Sequence, residues 1–282
     1  MGYQVPGHCV AAVMREAYGV SHGRRRVAHR PGASGEGSGL VLSAVPNSPG
    51  DMPISFQGRA EIERWAQTEH ATHDLSEGFF DIAPAAGVSV ERYTLTGPAD
   101  RGKRARYPNA VCYTDGAAAA ALPLGTSQVG MSQPAGQLGS QPVLLAPYAV
   151  WATARALRIV GRHAVRNAGA PGDAIIEARV FGPHMLLGYD HQGFTETYPN
   201  GLLVREVRSR LTLPLQSLAG DAQHRLIATR MTLTDVFNAF GLAEVQHIAP
   251  DGTLRVIYFA AGYNVATWAE RHGVATTNEN AW

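Results

Sequence analysis

Four stretches of the chain beyond residue 51 have the apolar spacing that is typical of an amphipathic α-helix. Their apolar side chains recur every three or four positions, in residues 57–72, 146–167, 222–240 and 265–272. End signals support the last two stretches. Asp221 is a good N-cap, Gly241 follows the third stretch and Gly273 follows the fourth. These patterns predict four helices.

Shorter alternating stretches between the helices predict β-strands. The predicted strands are residues 79–82, 88–95, 107–113, 117–124, 173–181, 185–190, 202–207, 210–215, 244–248 and 254–259. Asp115-Gly116 and Asp251-Gly252 each separate two of them, and Asp-Gly favours the tight turn of a hairpin. The alanine run 117–121 fits a strand or a helix. Because strands and helices do not alternate, we expect an α+β fold with a mostly antiparallel sheet.

Glycine, serine and proline divide the chain into segments. Residues 1–51 contain a Gly/Ser-rich stretch and an Arg-rich stretch, so we expect a flexible basic extension. Residues 126–142 have low complexity and predict a linker or loop. The two segments leave a small α+β subdomain at 52–125 and a larger one at 143–282.

Composition excludes several classes of protein. The chain is 45% apolar and 17% charged with a net charge of +1, so its surface as a whole is not strongly basic. The sequence contains no apolar run of roughly 18 residues, the length that would predict a membrane span, so we expect no membrane partner. Two cysteines are too few for a disulfide framework, which favours a cytoplasmic location. Lys103 is the single lysine among 24 basic residues, a bias typical of a high-GC bacterium.

A cluster of metal-ligand residues follows the first predicted helix. If that helix continues, His70, His73, Asp74 and Glu77 lie at i, i+3, i+4 and i+7, and their side chains share one face. Imidazole and carboxylate groups suit zinc or a similar divalent metal, with His191 or His247 as a further ligand. The same residues also fit a polar, solvated helix end.

Arginine recurs at helical spacing in the second predicted helix. Arg155, Arg158, Arg162 and Arg166 would line one face, where guanidinium groups can bind successive phosphates of a nucleic acid. The alternatives are the solvated face of an ordinary amphipathic helix and a ladder of salt bridges to Glu177 or Glu206. Further basic clusters occupy residues 22–30 and 101–106.

Three segments of the second half carry a family resemblance. They are residues 229–244, which read TRMTLTDVFNAFGLAE, residues 250–254 and residues 268–270. The chain resembles, over residues 105–272, the C-terminal α+β region of actinobacterial proteins that carry a Schlafen/AlbA-type DNA-binding domain. The acidic signature of that DNA-binding domain is missing from this sequence. The resemblance implies an α+β accessory module and assigns no functional residue.

The sequence therefore leaves three options for the function. The first is a non-enzymatic binding or interaction module, with a nucleic acid or a protein as its partner. The alternative is a metal-dependent hydrolase built on His70, His73 and Asp74. A third option is a subunit that only scaffolds and buries Trp65, Trp151 and Trp268 against a partner. No cofactor other than this metal and no oligomeric state is indicated.

Overall fold

A computed structural model describes residues 39–71, 85–89, 91–96, 109–123, 143–189, 195–197, 204–259 and 264–279. Within them the main sheet has nine strands: β1 (Gly39–Pro46), β2 (Ala85–Ser89), β3 (Arg92–Thr96), β4 (Asn109–Tyr113), β5 (Ala118–Pro123), β6 (Val143–Leu145), β7 (Asp173–Tyr189), β8 (Thr195–Thr197) and β9 (Val204–Pro214). The helices are α1 (Phe56–Ala71), α2 (Ala146–Arg162), α3 (Leu215–Ala219), α4 (Ala222–Ala239) and α5 (Val265–Arg271). The predicted α+β class is confirmed.

The main sheet is almost entirely antiparallel. Its first six strands follow the order β2-β3-β4-β5-β1-β7, and β9 pairs antiparallel with β7 as well. The last residues of β7 pair with β8 and, in parallel, with β6. Two short parallel strands, β10 (Leu254–Arg255) and β11 (Thr276–Thr277), form a separate small sheet. The predicted mostly antiparallel arrangement is therefore confirmed.

Strand β1 corrects the predicted domain organisation. It lies between β5 and β7, and Leu40, Val41 and Leu42 are fully buried. Residues 39–51 are thus folded, so the prediction of a flexible extension over 1–51 is wrong for that part; residues 1–38 lie outside the described residues. Because β1 joins strands from 52–125 and 143–282, the two predicted subdomains share one sheet and one core. The predicted linker 126–142 lies outside the described residues.

Helix α2 is the centre of the core. It packs against β1 and β5 on the sheet and against α3 and α4. The facing surfaces are rich in alanine: Ala149, Ala152 and Ala156 on the helix, Ala118 and Ala120 on β5. Small side chains let the helix lie close to the sheet. The alanine run, which fits a strand or a helix in the sequence, is part of the buried strand β5.

Gly161 lies close to α3, with no room for a side chain between the two helices. A Cβ atom at this position would lie 2.4 Å from Leu218 Cβ and 3.0 Å from the Ala219 amide nitrogen. We expect Gly161→Ala to lower the free energy of unfolding by about 2 kcal/mol through overpacking, measured by urea denaturation. Alanine's helix propensity alone would raise stability by about 1 kcal/mol, so an unchanged or higher midpoint would contradict the close contact.

Local end and turn signals are confirmed where they are strongest. Asp221 caps α4 by accepting a hydrogen bond from the His224 amide, and Gly116, Gly241 and Gly273 have the positive φ that their turns require. Strand boundaries are less accurate. The predicted strand 88–95 contains the end of β2 at Ser89 and the start of β3 at Arg92, with Glu91 at a positive φ of 59° just before β3. The described part of the two strands predicted within 202–215 is the single strand β9. The strand predicted at 79–82 lies outside the described residues.

The predicted hairpin at 244–259 is wrong in detail. One bridge joins Ile248 to Leu254, and residues Val256–Tyr258 form a 3-10 turn.

Cys112 on β4 is a free, buried thiol, and burial raises its pKa to about 12, so it stays protonated. No helix in the described part of the chain is long and apolar enough to cross a membrane.

Candidate functional site

A cleft of about 320 Å³ lies beside the start of α1. One wall is formed by the loop that leads into α1, residues 52–55, and by the first turns of α1. The other wall is the π-helical turn His163–Asn167, which follows α2. Met52, Pro53 and Ile62 supply apolar surface. The polar lining consists of Ser55, Gln57, Glu61, Arg166 and Asn167.

Backbone hydrogen bonds hold the loop that forms one wall of the cleft. The amides of Gly50 and Met52 donate to the carbonyls of Asp115 and Thr114, at the β4–β5 turn, over 2.8 Å each. The Asp51 amide donates to the Ala168 carbonyl, just after the π-helical turn. A Cβ atom on Gly50 would lie 2.1 Å from that same carbonyl oxygen, so only glycine fits there.

Tyr93 anchors the start of α1 from the sheet. Its side chain is fully buried, and its hydroxyl donates to the Pro53 carbonyl (2.9 Å) and accepts from the Ser55 amide (3.1 Å). Ser55 in turn caps the helix, because its Oγ accepts from the Gly58 amide. The first turn of α1 is therefore fixed to the sheet, and Ser55, Gln57 and Glu61 are held at the cleft.

His163 fixes the other wall. It is fully buried, and Nε2–H donates to the Tyr113 carbonyl at 2.9 Å. Because a carbonyl only accepts, Nε2 carries the proton, and Nδ1 is left to accept from the Asn167 amide at 3.5 Å. Burial lowers the pKa of His163 to about 4, against the opposing effects of the Tyr113 carbonyl and the Asp115 charge. The imidazole is therefore neutral at neutral pH and ties the π-helical turn to β4.

Arg166 and Glu61 give the cleft its charge. Arg166 is exposed, and its guanidinium makes no hydrogen bond or ion pair with any residue that the structure describes. Glu61 accepts a hydrogen bond from the Gln57 side chain at 2.8 Å. The cleft thus offers a cation, a carboxylate and amide groups, which can bind a ligand that carries both acceptors and donors.

Exposed apolar side chains lie next to the cleft. Phe56, the first residue of α1, is 89% exposed, and Ile54 is 40% exposed. Both flank the cleft-lining residues Pro53, Ser55 and Gln57 in the chain. Aromatic residues and arginine are both enriched in protein interfaces.

The predicted arginine face is not a solvent-exposed stripe. Arg158 is only 6% exposed, Arg155 and Arg162 are partly buried, and Arg162 Nε donates to the Ala219 carbonyl at 3.4 Å. Arg166, on the π-helical turn, is the exposed member of the four. The reason is that α2 is covered by the sheet, α3 and α4. The suggested partners pair elsewhere, Glu177 with Arg208 and Glu206 with Arg179.

The predicted metal cluster lies largely outside the described residues. His70 is in α1, but its side chain is not described, and neither His73 nor Asp74 is. Of the two suggested further ligands, His191 is also outside, and His247 is fully buried in the core. Within the described ranges no group of three His, Cys, Asp or Glu side chains could hold a metal ion. The metal site remains a prediction.

Sequence reasoning found Arg166 but missed the rest of the cleft. Ser55, Glu61 and Asn167 have no distinctive spacing, and hydrogen bonds from distant parts of the chain bring them together. Comparison with models of protein families, with curated proteins and with solved structures finds no match for this chain. The resemblance of residues 105–272 therefore remains a prediction.

Proposed function

We propose that the protein is a cytoplasmic accessory module that binds a segment of a partner protein at the cleft and at Phe56 beside it. The observation that carries this proposal is the exposed side chain of Arg166, which lines the same cleft as Glu61, together with the exposed ring of Phe56, whose chain neighbours Ser55 and Gln57 line that cleft. A few hot-spot residues dominate the binding energy of protein interfaces, arginine is enriched among them, and phenylalanine is enriched in interfaces in general.

The chemistry of the cleft suits a peptide segment. A peptide main chain offers carbonyl acceptors and N–H donors in alternation, and the cleft offers Asn167 and Gln57 amides beside the Glu61 carboxylate. Arg166 selects an acidic side chain in the partner, because a guanidinium binds a carboxylate through two parallel hydrogen bonds. Phe56 and Ile54 select an apolar neighbour.

Peptide display tests this proposal directly. The full-length protein selects from a phage library of random peptides, after each round has been depleted on the double variant Phe56→Ala/Arg166→Ala. We expect enriched peptides that combine an acidic residue with an apolar one. Failure of any peptide to discriminate between wild type and the double variant would overturn the proposal.

Single substitutions then measure the contribution of Arg166. We expect Arg166→Ala to weaken the binding of a selected peptide at least about tenfold, as for an interface hot spot, measured by fluorescence anisotropy. Arg64→Ala is the matched control, because Arg64 is an exposed arginine of α1 that does not line the cleft. Equal losses in the two variants would indicate a general charge effect.

The nucleic-acid alternative is an outcome of the same series. A labelled DNA duplex is titrated into wild type and Arg166→Ala at low and moderate salt. If the duplex binds tightly and Arg166→Ala releases it while peptides show no discrimination, the partner of the cleft is a nucleic acid and the protein-partner proposal is wrong. Salt sensitivity would confirm phosphate contacts in that case.

A further inference from the structure

The main sheet has a second face, opposite to the one that α2 covers. Successive side chains of a strand point to opposite sides of a sheet, so Val41 points away from α2, against which its two neighbours in β1 pack. Strand pairing extends the second face over three strands, because Val41 pairs with Ala121, and Ala119 with Val111. We call these four residues the second-face cluster.

The second-face cluster is buried, but it is not part of the described core. Each of its four side chains is 1% exposed. None of them belongs to the core of buried side chains that the described residues form. The described helices lie on the other side of the sheet: Tyr93 holds the start of α1 there, α2 packs on it with α3 and α4, and Trp268 of α5 contacts Trp151 of α2. The cluster therefore has a cover that the described helices do not supply.

The extent of the covered area fits one helix. On β7 and β9 the same face of the sheet is charged and partly exposed, because Glu177 pairs there with Arg208, and Arg179 with Glu206. The apolar part is thus limited to the neighbouring strands β4, β5 and β1. Three strands at about 4.8 Å spacing are about 10 Å wide, which is the diameter of an α-helix. Alanine at two of the four positions lets a helix approach closely.

One segment of the sequence outside the described residues has the pattern of such a helix. Its apolar residues recur at intervals of three and four, which places them on one side of a helix: Val10, Val13, Met14 and Ala17. Arg15 and Glu16 fall on the opposite side. A helix over residues 8–18 would be about 16 Å long, enough to cross the three strands.

The position of this segment in the chain favours it as the cover. Residues 19–38 join it to β1, and Val41 is the third residue of that strand. A Gly/Ser-rich chain of about twenty residues spans roughly 25 Å on average, so the segment starts within reach of the second face. The other long ranges fit less well: 97–108 is charged, 124–142 is rich in glycine and glutamine, and 72–84 joins α1 to the edge strand β2.

We propose that the second face of the sheet is the docking surface for residues 8–18 of the same chain, whose apolar side covers the second-face cluster. The sheet is then enclosed between two helical layers. The docking surface is separate from the cleft, because it shares no residue with the cleft lining. The proposal replaces the expectation of a flexible extension for residues 8–18 alone.

A nitroxide on Cys9 tests the proposal in the full-length protein. Cys112 is buried, so a thiol-reactive nitroxide labels Cys9, and Cys9→Ser is the labelling control. At helical spacing Cys9 falls beside the apolar side, so the label does not occupy the contact. NMR compares amide intensities before and after reduction of the nitroxide. We expect signal loss for Val41, Ala119 and Ala121, and a smaller loss for Met231, which is exposed on α4.

Two outcomes of this measurement would overturn the proposal. The first is an intensity at Val41, Ala119 and Ala121 that does not change when the nitroxide is reduced. The second is signal loss at the same amides when nitroxide-labelled protein without ¹⁵N is mixed with ¹⁵N-labelled protein without nitroxide. That result identifies a second copy of the chain as the occupant.

Two matched substitutions show which side of the segment docks. Val13→Asp places a carboxylate on the apolar side, and Ala12→Asp places the same group on the opposite side. We expect Val13→Asp to remove most of the signal loss at Val41 and Ala12→Asp to retain it, because an unpaired carboxylate is costly to bury. Equal signal loss in the two variants would contradict docking through the apolar side. If Val13→Asp does not fold, the pattern in the labelled wild type decides.

Discussion

A chain that begins at Met52 is expected to lose cooperative folding. It lacks β1, which pairs with β5 through six residue pairs and with β7 through eight. Without β1, two neighbouring strands lose their backbone partners in the middle of the sheet, and the core loses Leu40, Val41 and Leu42. Burial of those three side chains alone is worth about 2 kcal/mol each, in a protein whose total stability is typically about 5–15 kcal/mol.

The informative comparison is a chain that begins at Gly39. The two truncated chains differ only in residues 39–51, so any difference between them belongs to β1 and to the loop that reaches α1. Circular dichroism during urea denaturation, with dispersion of amide resonances in NMR spectra, measures the outcome. A Met52 chain with the same cooperative transition as the Gly39 chain would show that the sheet closes without β1.

There is a physical reason why β1 was not predicted from the sequence. Consecutive residues of β1, which point to opposite faces of the sheet, are all buried, so the strand reads as a continuous apolar run, here Leu40-Val41-Leu42, rather than as an alternation. Glycine and serine in the residues before it gave the surrounding segment the composition of a flexible chain. By contrast, the two ends of α4 were predictable to within one residue, because Asp221 caps the start of that helix and Gly241 follows its end.

The arginine stripe shows the limit of periodicity in a different way. Spacing correctly indicates that Arg155, Arg158 and Arg162 share one side of a helix, but spacing does not indicate whether that side meets water or another helix. For α2 the deciding contacts come from α3 and α4, which lie at least fifty residues later in the chain. The cleft has the same origin, since it depends on bonds such as that from His163 to Tyr113.

Acid is expected to unfold the protein in a range where its carboxylates are still charged. Burial lowers the pKa of His163 to about 4 and that of His247 to about 3, from an ordinary value of 6.5; the Tyr258 backbone opposes part of the effect on His247. Below pH 6.5 the unfolded chain takes up a proton at each site and the folded protein does not. Stability is therefore complete above pH 6.5 and falls as the pH falls.

The size of this effect follows from proton linkage. Each histidine contributes up to about 1.4 kcal/mol per pH unit, so the two together contribute up to about 2.7 kcal/mol per unit between pH 6.5 and 4. His272, whose pKa is also lowered, changes stability in the same direction. Asp221 and Asp251, whose pKa values are lowered by the backbone N–H groups of His224 and Thr253, lose their contribution only below their ordinary value of 3.8. Measurements above pH 4.5 therefore separate the histidines from these carboxylates.

Urea denaturation at half-unit steps from pH 7.5 to 4.5 measures the slope. We expect wild type to approach the two-histidine slope at the acidic end, and His247→Phe, which keeps the ring contacts with Phe237 and Phe259, to lose about half of it. His163→Gln should lose a similar share, because glutamine can still donate to the Tyr113 carbonyl but does not titrate. Each variant shifts stability at pH 7.5 as well, but only removal of a buried titrating group flattens the slope. A wild-type slope below about 1.4 kcal/mol per unit would show that at least one of the two imidazoles is accessible to protons in the folded protein.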